Sequence, residues 1–384
     1  NQSEGVMEEI PTIRLHHDYN NSFSAGNDDT SWKKKKETVE LLRSACINVG
    51  FFYLEGHGIS SEFLDEMFQQ SKWLFDLPTA YKQTLTDPIL NRGYTSLHEE
   101  MLDPQRQKKA KGDTKEGYNI GVDIPKSDPR YNLSKLSGPN VWPQPPSKDN
   151  NSNNNNDKRG KNDIANTSIS SSTPELLFAK ECDQFQQTME LYFEKLCQVG
   201  LSVVRLLALA IGLEDEHYFD EYFKNPFALI RLLHYTDEPS SPEEGIFACG
   251  EHSDYGMITL LLTDDQPGLQ IYTRQKNKQW IDIPPKPGKF IVNLGDMLER
   301  WTNGLFCSTK HRVLKKHNDG CHRYSIPFFY EPNFDTVVEC LPGCYDPLSD
   351  NPKKKYPDKI TSGQYLLNKY NQTHSDFVGT TANN

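Results

Sequence analysis

Apolar residues recur along this chain with two periods. Over 174–211, Phe178, Cys182, Phe185, Met189, Tyr192, Leu196, Val199, Val203, Leu206 and Ala210 follow in steps of four and three. That spacing lays one apolar stripe along a long helix. Thr173-Pro174 offers an N-cap followed by proline at the first helical position, and Gly212 a stop. A coiled-coil seam would give the same stripe. Residues 201–211 are apolar on several faces, however, so the helix is expected to back a packed domain.

From Phe227 onward the pattern shortens to β-like runs: FALIRLLHY, GMITLLL, LQIY, WIDI, KFIVNL, HRVL and RYSIPFFY. Pro267-Gly268, Pro287-Gly288, Asn303-Gly304 and Asp319-Gly320 punctuate them. Closely spaced short strands with such turns predict a sandwich or barrel. Upstream, 10–15 reads as a strand, 36–48 as an amphipathic helix and 50–60 as a strand entering a glycine-rich turn. A second helix runs through Phe63, Met67 and Phe75 to a proline stop at Leu77-Pro78.

Composition changes this picture in one place. Residues 148–173 contain eight Asn and no aromatic residue, so they read as a disordered insertion. The chain divides into an N-terminal region (1–147), this insertion (148–173), a backing helix with a β core (174–345), and a C-terminal helix with a polar tail (346–384). The net charge of −11 argues against nucleic acid or an anionic membrane as the main partner, and no long apolar run suggests a membrane span. Eight scattered cysteines without a CxxC pair, and no signal-peptide pattern at the start, point to reduced thiols in a cytoplasmic protein, expected as a monomer.

The tripeptide H-x-D occurs four times, at His16/Asp18, His252/Asp254, His317/Asp319 and His374/Asp376, so alone it says little. A non-haem Fe(II) site uses two His and one carboxylate on one side of the metal. On a strand, residues i and i+2 face the same side, and a distant strand must bring the third ligand. His252/Asp254 lies between β-like runs, and His311 follows 57 positions after Asp254 at the head of HRVL. The other three pairs lie in polar loops or the tail. Twelve residues after His311 comes Arg323-Tyr324-Ser325, which would turn a guanidinium and a hydroxyl to one side, a fit for a carboxylate.

These motifs, with Ile10-Pro11, GFFYLEGHGI, LFDLP, Arg92-Gly93-Tyr94, GLQIY, FIVNLGDMLERWTNG and RYSIPFFYEPN, resemble the isopenicillin N synthase-like family of Fe(II)/2-oxoglutarate-dependent oxygenases over residues 10–145 and 174–345. GDTKEGYNIG and NLGDMLERW look closest to its plant and fungal small-molecule branch. The resemblance implies an α+β, mainly β fold: a double-stranded β-helix (jelly-roll, cupin-like) core with a helical N-terminal region and a long backing helix. It implies Fe(II) on His252, Asp254 and His311. It implies 2-oxoglutarate against Arg323, Ser325 and Tyr235, O2 as co-substrate and ascorbate as a supporting reductant. Tyr118, Asn119, Phe329 and Glu331 fall where relatives approach substrate.

Two departures stand out. The family's N-x-Y triplet is Leu233-His234-Tyr235 here, and its common NHG is Gly56-His57-Gly58. His57, His234 and His322 are expected not to be ligands, and Asp296 to be structural. The implied activity is oxidation of a small molecule by hydroxylation, desaturation, cyclisation or demethylation, with release of succinate and CO2. Two alternatives stay open: an iron oxidase of the same fold that dispenses with 2-oxoglutarate, and a non-catalytic small-molecule-binding scaffold.

Overall fold

The computed structural model describes residues 10–15, 29–102, 112–145, 173–274, 278–316, 320–345 and 354–373. The chain opens with β1 (Thr12–Arg14), α1 (Asp29–Asn48), β2 (Phe51–Glu55), α2 (Ser61–Asp76), α3 (Thr79–Lys82), β3 (Thr86–Asp87), β4 (Arg92–Thr95) and β5 (Lys115–Gly121). The long helix α4 (Pro174–Ile211) follows. Next come β6 (Pro226–Tyr235), β7 (Cys249–His252), β8 (Ile258–Thr263), β9 (Leu269–Tyr272), β10 (Trp280–Asp282), β11 (Phe290–Leu294), the short α5 (Asp296–Trp301), β12 (His311–Val313) and β13 (Arg323–Asn333). The chain ends with β14 (Val337–Val338), β15 (Ile360–Thr361) and α6 (Ser362–Thr373).

Nine strands form one sheet in the order β1-β2-β11-β8-β13-β6-β5-β4-β3, and four form a second, β10-β9-β12-β7. Side-chain alternation decides what each face does. On β2, Phe51 and Tyr53 point between the sheets, while Phe52 and Leu54 join the core under the helices. On β6, Leu233 and Tyr235 point inward, and Ile230 and Leu232 point to the helices. Two clusters result: a larger one between the big sheet and the helices, and a smaller one inside the jelly-roll.

The backing helix starts and stops where the pattern predicts. Thr173 accepts a hydrogen bond from the Leu176 N–H, Pro174 follows it, and Gly212 closes the helix at φ 106°, in the left-handed region. Phe185, Met189, Tyr192, Leu196 and Val203 on its stripe are all buried. Helix α1 begins earlier than expected, at Asp29. The first helical turns carry Lys33–Lys36, whose polarity hid them from a hydrophobic-period argument. The Asn-rich segment falls outside the described residues apart from Thr173, as do the pairs His16/Asp18, His317/Asp319 and His374/Asp376.

Candidate active site

Strands β7 and β12 are antiparallel neighbours, and His252 pairs directly with His311. Their rings lie 4.2 Å apart between centroids. Asp254 sits just past the end of β7, where the chain turns and its carbonyl accepts from the Asp296 N–H at 2.8 Å. The start of α5 thereby pins the loop carrying this carboxylate.

Each imidazole is oriented through its Nδ1. That of His252 lies 2.8 Å from the Gly250 carbonyl, and that of His311 lies 3.1 Å from the Thr309 carbonyl. A carbonyl can only accept, so in the neutral ring the proton sits on Nδ1 and the Nε2 lone pair is free for a metal. The two Nε2 atoms lie 3.6 and 3.5 Å from Oδ1 of Asp254. One ligand atom from each residue falls within a 4.8 Å cluster. The other carboxylate oxygen, Oδ2, accepts from Thr259 Oγ1 and from Asn293 Nδ2 at 2.6 Å. Burial alone would raise the Asp254 pKa. In their protonated form the neighbouring His311 and His252, together with the Asn293 amide, outweigh it and hold the carboxyl well below the usual range. A metal cation that replaces those protons on Nε2 would act in the same direction. Two neutral imidazoles and one ionised carboxylate on one side of a point suit a divalent first-row metal with open positions.

Two hollows adjoin this triad, and both have His252 and Asp254 in their walls. The inner one, about 70 Å³, runs between the sheets and ends on Arg323, Ser325 and Tyr235. Arg323 pairs with Tyr235 across β13 and β6, and its guanidinium lies 4.8 Å above the tyrosine ring. Arg323 is 3% exposed. Its Nε donates to the Gln266 carbonyl at 3.3 Å, and its buried Nη1 has no hydrogen-bond partner among the described residues. The nearby Asp264 carboxylate is taken up by the Tyr324 and Gln266 N–H groups.

The outer hollow, about 80 Å³, opens past Asn119, Arg231, Phe329 and, from the C-terminal helix, Leu366 and Tyr370. Of the four residues expected to approach substrate, Asn119 and Phe329 line this hollow. Tyr118 does not. Sheet alternation turns it to the helix side, where its hydroxyl donates to the Val141 carbonyl and its ring meets Phe185 edge-on. Glu331 does not line the hollow either. It lies buried under the turn that follows Asp254 and accepts from the Met257 N–H. A Cβ on Gly256 would fall 1.5 Å from its carboxylate. Burial pushes the Glu331 carboxyl up to about 8.

The other histidines have other partners. His57 Nε2 meets the Gly288 carbonyl at 2.9 Å, and its Nδ1 accepts from Ile59 N–H. His234 stacks on Tyr324 on the helix side of the sheet and contacts Glu116 and His322. Asp296 accepts from Lys369 at 2.9 Å and from Tyr365, joining α5 to α6.

Sequence reasoning missed several site residues. Asn293 and Arg231 carried a signal, each being the lone polar or charged residue buried in an apolar run, FIVNL and FALIRLL. Glu100, which holds Arg231 at 2.8 Å, carried none, because it comes from a polar connection far away in sequence.

Residues 226–332 match the model of the 2OG-Fe(II) oxygenase superfamily, and residues 10–145 match that of the N-terminal region of non-haem dioxygenases in morphine synthesis. Kihadalactone A synthase of Citrus sinensis is 36% identical over 89% of this chain and 90% of its own. A 2-oxoglutarate-Fe(II) type oxidoreductase of Aspergillus fumigatus is 35% identical over 80% of each chain. Among solved structures, a full-length Neurospora crassa protein in complex with alpha-KG and thymine superposes with a TM-score of 0.70 at 29% identity, covering 94% of this chain and 96% of that one. With the triad intact on this shared core, the chain belongs to the 2OG-Fe(II) oxygenase superfamily, as an Fe(II)- and 2-oxoglutarate-dependent oxidoreductase of small molecules.

Proposed function

We propose that 2-oxoglutarate lies in the inner hollow with its distal carboxylate on Arg323 and Ser325, and that the organic substrate enters the outer hollow between Asn119, Arg231 and Phe329. One observation carries this assignment: of the two buried arginines beside the triad, only Arg323 forms no ion pair among the described residues, the Asp264 carboxylate acting on it only from a distance. Arg231 is matched by Glu100 at 2.8 Å, whereas the Arg323 Nη1 is buried and unpartnered among the described residues. A buried guanidinium of this kind is a ready site for a carboxylate.

Bound to His252, Asp254 and His311, Fe(II) with O2 supplies the oxidising power that converts 2-oxoglutarate to succinate and CO2 while a substrate C–H bond is oxidised. The protein's share is positional. Thr259 and Asn293 fix the carboxylate of Asp254, and the Gly250 and Thr309 carbonyls fix the two imidazoles. Phe51, packed edge-on against His311, helps keep water from the inner hollow. Leu366 and Tyr370 of α6 wall the outer one.

Relatives with small organic molecules in their names or complexes, among them the kihadalactone A synthase and the Neurospora crassa protein solved with thymine, support the reading. All eight cysteines are free thiols, which fits a reducing, cytoplasmic setting. The test is a succinate-release screen with Fe(II), 2-oxoglutarate and a panel of alkaloids, phenolics, terpenoid acids and amino-acid derivatives. Substrate-dependent succinate is expected. Oxygen uptake that forms no succinate with any substrate would overturn the placement of 2-oxoglutarate.

A further inference from the structure

The outer hollow carries a polar edge of defined sense. Asn119 of β5 and Arg231 of β6 are direct cross-strand partners, so their side chains leave the sheet side by side. Both line the hollow. Asn119 is 4% exposed. Its Nδ2 donates to Asn91 Oδ1 at 2.9 Å, which turns the amide so that Oδ1 remains as an acceptor, and that oxygen has no hydrogen-bond partner among the described residues. Arg231 is held through Nη1 by Glu100 at 2.8 Å, and its Nε is likewise buried without a partner. Gly117 makes room for it, since a Cβ there would stand 3.2 Å from that Nε.

The charge around this edge is balanced. Glu100 pairs with both Arg231 and Lys115, and Lys115 pairs with Asp113. Two cations thus face two anions: Glu100 and Arg231 line the outer hollow, Lys115 lines the inner one, and Asp113 is fully buried. A carboxylate brought to Arg231 would add an unmatched negative charge beside Glu100, which is costly in a buried place. A neutral carbonyl would cost nothing of the kind and would meet a guanidinium donor. Beside it, Asn119 Oδ1 calls for an N–H. Leu102, Leu229, Phe329 and Leu366 supply the apolar part of the wall, and Ser253, Tyr255 and Tyr370 stand on the side of the triad and of the C-terminal helix. The space, about 80 Å³ and open on one side, is smaller than the roughly 150 Å³ cavity that encloses benzene, so it admits the polar edge of a small ring.

We propose that the substrate is a small uncharged cyclic amide, its N–H donated to Asn119 Oδ1 and its adjacent C=O received by Arg231. The proposal rests on the placement of substrate in the outer hollow and of 2-oxoglutarate in the inner one. It names the chemistry that the outer hollow selects: a neighbouring donor and acceptor, with no net charge.

The test is anaerobic calorimetry on the full chain loaded with Fe(II) and 2-oxoglutarate, whose visible charge-transfer band is recorded first. The probes are three cyclic amides (2-pyridone, 2-piperidone and uracil), the blocked analogue N-methyl-2-pyridone, and benzoate. At least one amide should bind at one site per chain. N-methyl-2-pyridone and benzoate should bind about tenfold or more weakly than 2-pyridone, as expected when a buried polar group is left unmatched. In Asn119→Ala the preference for 2-pyridone over its N-methyl analogue should vanish, while the charge-transfer band stays. Asn91→Gly, which frees the Asn119 amide to rotate and suits the left-handed backbone there (φ 53°), should reduce the same preference and guards against a folding defect in the first variant. Benzoate binding as tightly as the amides, an N-methyl analogue as good as its parent, or no binding by any amide in an enzyme that shows the band would each overturn the proposal. Absence of the band in the wild-type protein would instead overturn the reading on which it rests.

Discussion

Replacing Arg323 by Met separates a co-substrate anchor from a structural arginine, because the two roles predict opposite signs for stability. Arg323 is buried, its only hydrogen bond among the described residues goes to a backbone carbonyl at 3.3 Å, and its Nη1 is unpartnered. Removing a buried cation that forms no ion pair relieves a desolvation cost that the more distant Asp264 carboxylate offsets only in part, so the apo protein should melt at the same temperature or higher. Methionine keeps the apolar contact over the Tyr235 ring. Binding of 2-oxoglutarate should suffer, since its distal carboxylate would lose a charge-assisted, desolvated contact of about 2–5 kcal/mol. That corresponds to roughly 30- to 5,000-fold in Kd. Arg323→Lys keeps the charge but not the two-pronged donor, and should fall between the two. The assay is anaerobic titration of the Fe(II)-loaded protein with 2-oxoglutarate, alongside thermal unfolding of the apo protein. A Met variant that binds 2-oxoglutarate within about threefold of wild type, or that loses several kcal/mol of stability, would refute the argument.

Three further outcomes follow from the same geometry. Asn293→Ala removes a 2.6 Å hydrogen bond from the non-ligating oxygen of Asp254 and should weaken Fe(II) binding about 10- to 100-fold with the fold intact, read by metal titration. Glu331, raised to about 8 from 4.5, keeps its proton in the folded state while the unfolded chain loses it, so wild type loses stability as pH climbs from 4.5 to 8; Glu331→Gln should be more stable by roughly 2–4 kcal/mol at pH 8 and nearly equal at pH 4.5, by denaturant unfolding. Burial pushes Glu299 up, but Lys355, the Ser308 N–H, Tyr356 and Arg274 hold it down at about 2, so its contribution is full above pH 4.5 and fades as pH falls towards 2; Glu299→Gln should cost about 1–3 kcal/mol at pH 7 and much less at pH 2.5.

How much of this could be read from the chain depends on how local the cause is. The stripe of α4, its Thr173-Pro174 start and its Gly212 stop are properties of neighbouring residues, and they appear in the structure as expected. His252 and Asp254 were selected by their place at a strand end, and His311 by heading another strand; pairing of β7 with β12 then brings them together. Tyr118 and Asn119 show where the reading stops. Adjacent residues on a strand face opposite sides, and the sequence of β5, KEGYNIG, has no clean alternation to say which side is which. Burial on both faces of that strand erased the signal. Glu331 follows Phe329 on the same face, yet the missing side chain of Gly256 lets the loop settle on it and shut it off from the hollow. The pairing of Glu100 with Arg231 spans 131 positions, and nothing local tells which acid of a chain with 53 Asp and Glu meets that arginine.

The central claim is that His252, Asp254 and His311 hold Fe(II) beside 2-oxoglutarate, and visible absorption under anaerobic conditions addresses it directly. Adding Fe(II) and then 2-oxoglutarate to the wild-type chain should produce a weak charge-transfer band that saturates at one equivalent of each. The band should be absent from a folded His252→Ala variant. A wild-type protein that shows no band, or a His252→Ala variant that keeps it undiminished, would contradict the account.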